Sequence, residues 1–201
     1  YNPLNKKEII KKSKIKNKIS FDKKKLNLIN IGRFTDQKDQ LTLLKAANLI
    51  KDKIKFNLLI VGRGIEKENL INYIREKNLS KNVQIVDFKK NPFNLIRSSD
   101  VFILTSLYEG LPNVLLETQV LKKFIISSNC PTGPREILLG GKAGFLFNVG
   151  DYKKLSDLIL YYSKNKKKLS KKISIGYKNL KRFDYDRNLK NYLKTINSLI
   201  N

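Results

Sequence analysis

Short apolar runs alternate along the chain with segments whose apolar residues recur at helical spacing. Each run is short enough for a single strand, and together they cover residues 26–31, 56–61, 83–86, 101–104, 124–127 and 143–147. The first two runs are followed by apolar residues at roughly helical intervals, namely Leu41, Leu44 and Leu49, then Leu70, Ile71 and Ile74. The pattern therefore predicts strands and helices in strict alternation.

This alternation predicts an α/β fold. Strands that are separated by helices pair in parallel through right-handed crossovers, which gives a doubly wound, Rossmann-like sheet. Ligands of such sheets bind beyond the carboxyl ends of the strands. We therefore expect the chemistry in the segments that directly follow strands.

The two ends of the chain differ from this central pattern. Residues 1–25 are polar and Lys-rich, with weak helical spacing around Ile9 and Ile10, and we interpret them as a linker. Residues 26–180 would form the α/β domain. Residues 181–201 are predicted to form a C-terminal helix with an apolar side at Leu189, Tyr192, Leu193, Ile196, Leu199 and Ile200.

The composition is that of a globular chain. Hydrophobic residues make up 41% of the 201 residues, which argues against wholesale disorder, and no apolar run approaches the roughly 20 residues of a membrane-spanning helix. Cys130 is the single Cys, so no internal disulfide can form and we expect a reducing, cytoplasmic setting. The chain contains no Met and no His. We therefore expect residues upstream of Tyr1, and any catalytic His must come from elsewhere.

The net charge of +25 admits two interpretations. Binding to nucleic acid or to an anionic membrane would use such a charge. However, the lysines are spread along the chain, Asn and Ile are also abundant, and no nucleic-acid motif accompanies them. We favour compositional bias and expect no specific nucleic-acid partner, while peripheral contact with an anionic inner membrane stays open.

Two carboxylates follow the fourth strand, Glu109 in the loop and Glu117 in the helix that comes next. Pro112 suits the first turn of a helix, and helix N-termini bind phosphate through free N–H groups, here those of Gly110, Leu111, Asn113 and Val114. Carboxylates beside an anion site fit a nucleotide sugar, which carries hydroxyls on both sides of its diphosphate. Alternatively, Glu109 caps the helix and Glu117 is a solvated surface residue.

The loop after the first strand carries two cations, Arg33 and Lys38. At a strand's carboxyl end they could neutralise a diphosphate and stabilise its charge as it departs. In a chain this basic, both could also be ordinary surface cations.

Three further motifs have simpler explanations. Gly62-Arg63-Gly64 resembles the start of a dinucleotide fingerprint but lacks its third Gly, so we predict a tight turn at the rim of the cleft. Asp184-Tyr185-Asp186 has the spacing of a metal-binding Asp-x-Asp motif, yet it precedes an amphipathic helix, where Asp is a favoured N-cap. Cys130 has no His to activate it as a nucleophile.

Together these segments resemble the group 1 (family 4) retaining glycosyltransferases. Glu109-Gly110-Leu111-Pro112-Asn113 followed by Glu117 is similar to the family's E-x7-E motif, and Arg33 and Lys38 match its diphosphate contacts. Residues 129–138 resemble a loop of members that build bacterial surface polysaccharides and lipid-linked oligosaccharides. The resemblance covers residues 27–151, including Gly32, Gly62, Asp100 and the stretch 144–151. Residues 1–5, Tyr-Asn-Pro-Leu-Asn, resemble the Asn-Pro hinge that leads out of the acceptor domain.

The resemblance implies a GT-B fold in which residues 26–180 bind the nucleotide-sugar donor and residues 1–25 join them to a missing N-terminal acceptor domain. It implies a UDP-linked donor, retention at the anomeric carbon, no obligatory metal or other cofactor, and hexosyl or N-acetylhexosaminyl transfer to a glycan or lipid-linked acceptor. Glu109 would be the catalytic residue at the donor sugar and Glu117 would hold the ribose. The base would lie near Phe88 and Lys89. Alone, the chain would be catalytically incomplete.

The sequence departs from the family pattern at several positions. Many relatives have Gly where this chain has Asp87, Lys where it has Leu116 or Thr118, and Gly or Asn where it has Asp39, which would shift the loop after Lys38. Two alternatives therefore stay open. One is a non-catalytic module that binds nucleotide sugars or nucleic acid; the other is a dehydrogenase built on Gly62-Arg63-Gly64, with Asp87 as its ribose-binding acid.

Overall fold

The computed structural model describes residues 4–16, 19 and 21–200. Its centre is a six-stranded, entirely parallel sheet in the order β3-β2-β1-β4-β5-β6. The strands are β1 (Leu26–Ile31), β2 (Phe56–Gly62), β3 (Val83–Asp87), β4 (Val101–Leu104), β5 (Phe124–Ser128) and β6 (Phe145–Phe147). The predicted doubly wound, Rossmann-like sheet is thus confirmed, with each strand within a few residues of its predicted bounds.

Helices cover both faces of this sheet. They are α1 (Lys6–Ser13), α2 (Gln40–Ile50), α3 (Lys67–Glu76), α4 (Phe93–Ser98), α5 (Asn113–Val120), α6 (Pro134–Ile137), α7 (Tyr152–Asn179) and α8 (Tyr185–Ile200). Short 3-10 segments add single turns at Asp36–Lys38, Leu139–Gly141 and Leu180–Phe183. None of the described helices combines the length and the apolar character that crossing a bilayer requires.

The core consists of two apolar layers, one on each face of the sheet. Alternate strand residues point to opposite faces, so Leu28 and Ile60 pack under α2, α3 and α7 while Ile29 and Leu59 pack under α1, α4, α5 and α6. Both layers contain fully buried side chains. The near-continuous apolar character of the strands follows from this burial on two sides.

The segment before the sheet is more structured than a linker. Residues Lys6–Ser13 form α1, which begins at an Asn5 cap whose side chain accepts the Glu8 N–H at 3.0 Å. Leu4 and Ile9 are buried in the same apolar layer as α4 and α5. Weak helical spacing sufficed here because the helix rests on the sheet domain. That residues 1–25 connect to another domain stays a prediction, and Tyr1, Asn2 and Pro3 lie outside the described residues.

The C-terminal region follows the predicted helical pattern. Leu180 and Phe183 of the last 3-10 turn are buried in the core, and the domain boundary at residue 180 stays a prediction. Asp184 directly precedes α8, and its carbonyl accepts the Asn188 N–H at 3.1 Å. This is the helix-start position that was predicted for the first Asp of Asp184-Tyr185-Asp186.

The sheet order places a topological switch point between β1 and β4. Successive connections leave these adjacent strands in opposite directions, so a crevice opens beyond their carboxyl ends. The loop after β1 carries Arg33 and Lys38, and the loop after β4 carries Glu109. The two segments with the richest predicted chemistry therefore flank the switch point.

Asp39 explains how the loop after β1 tolerates its departure from the family pattern. Its backbone is left-handed (φ 42°, ψ 52°), a conformation that Gly and Asn adopt readily and Asp more readily than most residues. Its carboxylate also caps α2 by accepting the Thr42 N–H at 3.1 Å. Asp therefore supplies both the turn and the cap at this position.

Candidate functional site

An ion pair joins the two loops at the switch point. Lys38 Nζ lies 2.6 Å from Glu109 Oε1, and the side chains are only 18% and 8% exposed. The loops are also joined through their backbones, because Leu107 N–H donates to the Gln37 carbonyl at 2.8 Å. Low exposure strengthens the pairing relative to a surface salt bridge. The sequence placed Lys38 at a diphosphate and Glu109 at a sugar; the structure puts these two side chains in direct contact.

Two buried hydroxyls at the end of β4 hold this ion pair. Ser106 Oγ donates to Glu109 Oε1 at 2.6 Å, and Thr105 Oγ1 donates to the Lys38 carbonyl at 2.8 Å. Both residues are fully buried. Neither hydroxyl was predicted as a site residue; the signal in the sequence was a polar pair directly after an apolar strand.

The loop after β5 supports the Glu109 loop from the other side. Thr132 Oγ1 donates to the Glu109 carbonyl. At Gly133 the backbone has φ 76°, and a Cβ there would lie 2.1 Å from the Gly110 carbonyl oxygen and 2.5 Å from Pro112 Cδ. Only Gly permits this approach without displacement. The loop resemblance at residues 129–138 thus corresponds to a segment that packs on the loop after β4.

Helix α5 begins where the sequence predicted, with Pro112 in the N-cap position and no side-chain cap. Gly110 has no atom within 4 Å of the position of a Cβ, so this side of its backbone is open to a ligand, while its carbonyl packs against Gly133. Leu111 and Val114 are partly buried in the adjacent core layer, and Asn113 is exposed at the first helical position. An uncapped helix start beside cations is suited to anion binding.

Glu117 lies one helical turn after Asn113 on the same side of α5. Both residues line a cavity of about 190 Å³, which Phe93 and residues of α1 close. Burial raises the pKa of Glu117 above its ordinary value. A half-buried carboxylate with no described ion-pair partner is a candidate for binding ligand hydroxyls. Glu109 is not among the residues that line this cavity, and the convergence of Glu117 and Glu109 on one ligand stays a prediction.

A second cavity gathers most of the remaining predicted residues. It measures about 370 Å³ and is lined by Arg33, Gly62, Phe88 and Lys89, together with Ile31, Gly32, Val61 and Arg63. A Cβ at Gly62 would lie 1.9 Å from the Gly32 carbonyl oxygen, so Gly is required where the loops after β1 and β2 meet. Gly62 and Arg63 of the predicted turn thus line this cavity.

Arg63, which was predicted only as part of the turn Gly62-Arg63-Gly64, also lines this cavity. Its guanidinium lies over the Phe88 ring, 5.2 Å from the ring centroid, and Phe88 is 58% exposed. An exposed aromatic ring beside a planar cation offers a flat surface to a base. The signal in the sequence was the position of Arg63 between two glycines at a strand's carboxyl end.

Two residues that the sequence offered for other chemistry, Cys130 as a nucleophile and Asp87 as a ribose-binding acid, have structural roles. Cys130 is buried, and burial is the main cause that raises its thiol pKa, which opposes nucleophilic use. Asp87 ends β3 and forms an exposed ion pair with Lys67 at 2.6 Å.

Asp100, which belongs to the family resemblance, ties β4 to β1, since its Oδ2 accepts the Asn27 N–H at 2.9 Å. This contact lies at the amino ends of the strands, away from the cavities described above.

A six-stranded, parallel, doubly wound sheet with helices on both faces is a Rossmann-like domain of the GT-B type. The fold is that of Anabaena HepE, whose crystal structure in complex with UDP matches with a TM-score of 0.81 at 20% identity over 87% of this chain and 49% of HepE. The model of the family described as glycosyl transferases group 1 matches residues 11–179. The chain belongs to this family, which decides against the dehydrogenase hypothesis.

Curated relatives agree with this assignment. An uncharacterized glycosyltransferase of Methanocaldococcus jannaschii is 33% identical over 111 residues, covering 55% of this chain and 27% of that protein. The capsular polysaccharide biosynthesis glycosyltransferase CapM of Staphylococcus aureus is 30% identical over 78 residues, covering 39% of this chain and 20% of CapM. The matched segments thus cover about a quarter or less of the length of these two relatives.

Proposed function

We propose that this chain binds a nucleoside-diphosphate sugar, with UDP as the nucleotide, as the donor domain of a retaining glycosyltransferase. The observation that carries the proposal is the Lys38–Glu109 ion pair at the switch point, beside the cavity that Arg33, Gly62 and Phe88 line. A cation and a carboxylate held together match the two chemical parts of such a donor, the diphosphate and the sugar hydroxyls. The UDP complex of HepE, which shares the fold, supports this choice of nucleotide.

Each part of the donor has a candidate partner. Arg33 and Lys38 would neutralise the diphosphate, with the N-terminus of α5 as a further donor of N–H groups. An ammonium group has three donors, so Lys38 can contact a phosphate while it keeps Glu109. Glu109 would hold the sugar, and the base would enter the cavity of Phe88 and Lys89. No metal is required in this scheme.

Glu117 would accept hydrogen bonds from the ribose hydroxyls. Its burial makes the ionised form costly in the free protein, and a ligand that donates two hydrogen bonds would offset that cost. The distance along α5 is suitable, since the five residues from Pro112 to Glu117 rise about 7.5 Å. This is the scale of a diphosphate.

The acceptor side of the reaction lies beyond this chain in the proposal. The name of CapM, a capsular polysaccharide biosynthesis glycosyltransferase, supports a role in polysaccharide biosynthesis. The acceptor in the proposal is a glycan or a lipid-linked glycan, and the transferred group is a hexosyl or N-acetylhexosaminyl residue. A second domain would bind that acceptor and complete the active site. A cytoplasmic protein in peripheral contact with an anionic inner membrane would fit such an acceptor and the net charge of +25.

Calorimetry with UDP and with uridine, combined with a transfer assay, tests the proposal. We expect the chain to bind UDP more tightly than uridine and to transfer sugar poorly alone. In a full-length enzyme, Glu109→Gln should lower kcat most, because a carboxylate at the sugar stabilises developing positive charge. Glu117→Gln should mainly raise KM for the donor. Absence of UDP binding, or efficient transfer by these 201 residues alone, would contradict the proposal.

A further inference from the structure

Ser106 is a buried hydroxyl that contacts the proposed catalytic carboxylate. It lies two residues beyond the end of β4, its exposure is 0%, and Oγ donates to Glu109 Oε1 at 2.6 Å. Hydrogen bonds of this length to a carboxylate are strong and directional. A buried Ser in a loop is expected to have such a partner, so the informative fact is which atom it contacts.

Both donors to Glu109 reach the same oxygen. Lys38 Nζ and Ser106 Oγ each lie 2.6 Å from Oε1, and no described residue donates a hydrogen bond to Oε2. A lysine ammonium is a compact charge that could hold either oxygen from many directions. The hydroxyl restricts the carboxylate to one rotation, with Oε1 occupied and Oε2 left for a ligand.

Ser106 is itself fixed by the neighbouring strand. Its carbonyl accepts a hydrogen bond from Ser128 Oγ at 2.7 Å, and Ser128 ends β5 and is fully buried. Thr105 next to it holds the Lys38 backbone. Ser106 therefore transmits the rigid geometry of the sheet end to Glu109, which a side chain on a loop would otherwise lack.

We propose that Ser106 is a positioning residue, which turns Glu109 so that Oε2 faces a hydroxyl of the donor sugar. The inference rests on the proposed function, in which Glu109 contacts the sugar. It assigns Ser106 to sugar binding and not to nucleotide binding. A hydroxyl that acted only on stability would affect both equally.

The test is a comparison of affinities by calorimetry. The chain is titrated with UDP and with UDP-glucose, UDP-galactose and UDP-N-acetylglucosamine, and the ratio of UDP-sugar to UDP affinity is taken for the sugar that gives the largest ratio. Ser106→Ala should leave UDP affinity within about twofold and lower that ratio roughly tenfold, the scale of one hydrogen bond to a charged group. If the Ala variant folds poorly, Ser106→Cys is used instead. Cys is close to Ser in volume but has only a weak donor, so this variant should also lower the ratio of UDP-sugar to UDP affinity.

Ser127 provides a matched control. It is also a fully buried Ser at the sheet end, but its hydroxyl donates to the Ser128 carbonyl at 3.0 Å and does not contact Glu109. Ser127→Ala should leave the ratio unchanged. Glu109→Gln should lower the ratio, and adding Ser106→Ala to it should cause little further loss, because both changes remove the same contact.

The outcomes separate the two proposals. If the wild-type chain fails to bind UDP, or no sugar changes its affinity, the proposed function fails and the inference with it. If Glu109→Gln lowers the ratio while Ser106→Ala and Ser127→Ala behave alike, only the inference is overturned. Losses for Ser106→Ala that are equal for UDP and UDP-sugar, or additive with Glu109→Gln, overturn it too.

Discussion

Lys38 and Glu109 are 71 residues apart in sequence, and their side chains meet at 2.6 Å where the chain reverses its winding direction. The ion pair links the end of β1 to the end of β4. The resemblance assigned the two residues to different parts of the donor. Their direct contact means that the two roles are coupled, so a change in one residue alters the surroundings of the other.

The first prediction concerns the stability of this ion pair. Lys38→Met leaves a carboxylate that is only 8% exposed without its cation, and we expect it to lower the free energy of unfolding by about 1–3 kcal/mol. The double variant Lys38→Met/Glu109→Gln should recover part of this loss, because no uncompensated charge remains. Urea denaturation of the single and double variants measures the coupling. Strictly additive losses would show that the pair is solvated and weak.

The second prediction concerns the diphosphate. Arg33→Ala and Lys38→Ala should each weaken binding of UDP by about 1.5–3 kcal/mol and leave uridine almost unaffected. Arg75 on the exposed side of α3 is a matched control, since Arg75→Ala removes the same charge far from the sheet's carboxyl end. Calorimetry with both ligands checks this. Equal losses for UDP and uridine would place the two cations away from the phosphates.

The third prediction concerns the contact between Gly133 and the Glu109 loop. Gly133→Ala should destabilise the fold and lower donor affinity, because its Cβ would overlap the Gly110 carbonyl. Gly140 (φ 61°, ψ 29°) is close to the left-handed region and has nothing within 4 Å of its Cβ position, so Gly140→Ala carries only a mild backbone strain and no clash. Gly133 (φ 76°, ψ −72°) combines a less accessible backbone conformation with the clash. The difference between the two variants should be about 1–3 kcal/mol in unfolding free energy. Similar losses of unfolding free energy for the two variants would mean that the loop after β5 moves at little cost to accommodate the added Cβ.

The fourth prediction concerns pH and Glu117. Its pKa is raised in the folded state by burial, so the folded protein holds this proton more tightly than the unfolded chain. The stability that the group contributes is therefore complete below its ordinary pKa and falls as pH rises through the raised folded value. Glu117→Gln removes this loss and should be more stable than wild type at neutral pH, with the difference shrinking in acid.

Urea denaturation across a series of pH values measures this effect. Glu76→Gln is the control, since that side chain is 67% exposed and its replacement should give no comparable pH-dependent gain. Nucleotide binding should in turn favour the ionised form of Glu117, so UDP should bind more weakly as pH falls through the raised pKa. If the Glu117→Gln variant and the wild type had the same pH dependence of stability, the burial of Glu117 would have no energetic consequence.

The sequence by itself determined the class of fold and the elements that carry it. Short continuous apolar runs, such as residues 101–104, are typical of strands in a parallel sheet, because helices cover both faces of such a sheet. Helices α2, α3 and α8 followed from apolar spacing, and the start of α5 followed from Pro112. The prediction that the segments after strands carry the binding site followed from the rule that ligands bind parallel sheets at the carboxyl ends of the strands. These inferences depend only on local periodicity and on the general geometry of such sheets.

Only the tertiary structure decided which of these side chains touch. Short helices such as α4 and α6 have too little periodicity to be predicted and exist because they pack on the sheet. The same holds for α1, which lies within the predicted linker and packs on the core through the buried Ile9. The contacts of Ser106 and Lys38 with one oxygen of Glu109 depend on strand order, since β1 and β4 are neighbours in the sheet although β2 and β3 separate them in the chain. A one-dimensional pattern carries the identity of a polar residue, whereas its partner is set by the packing of strands that lie far apart in the sequence.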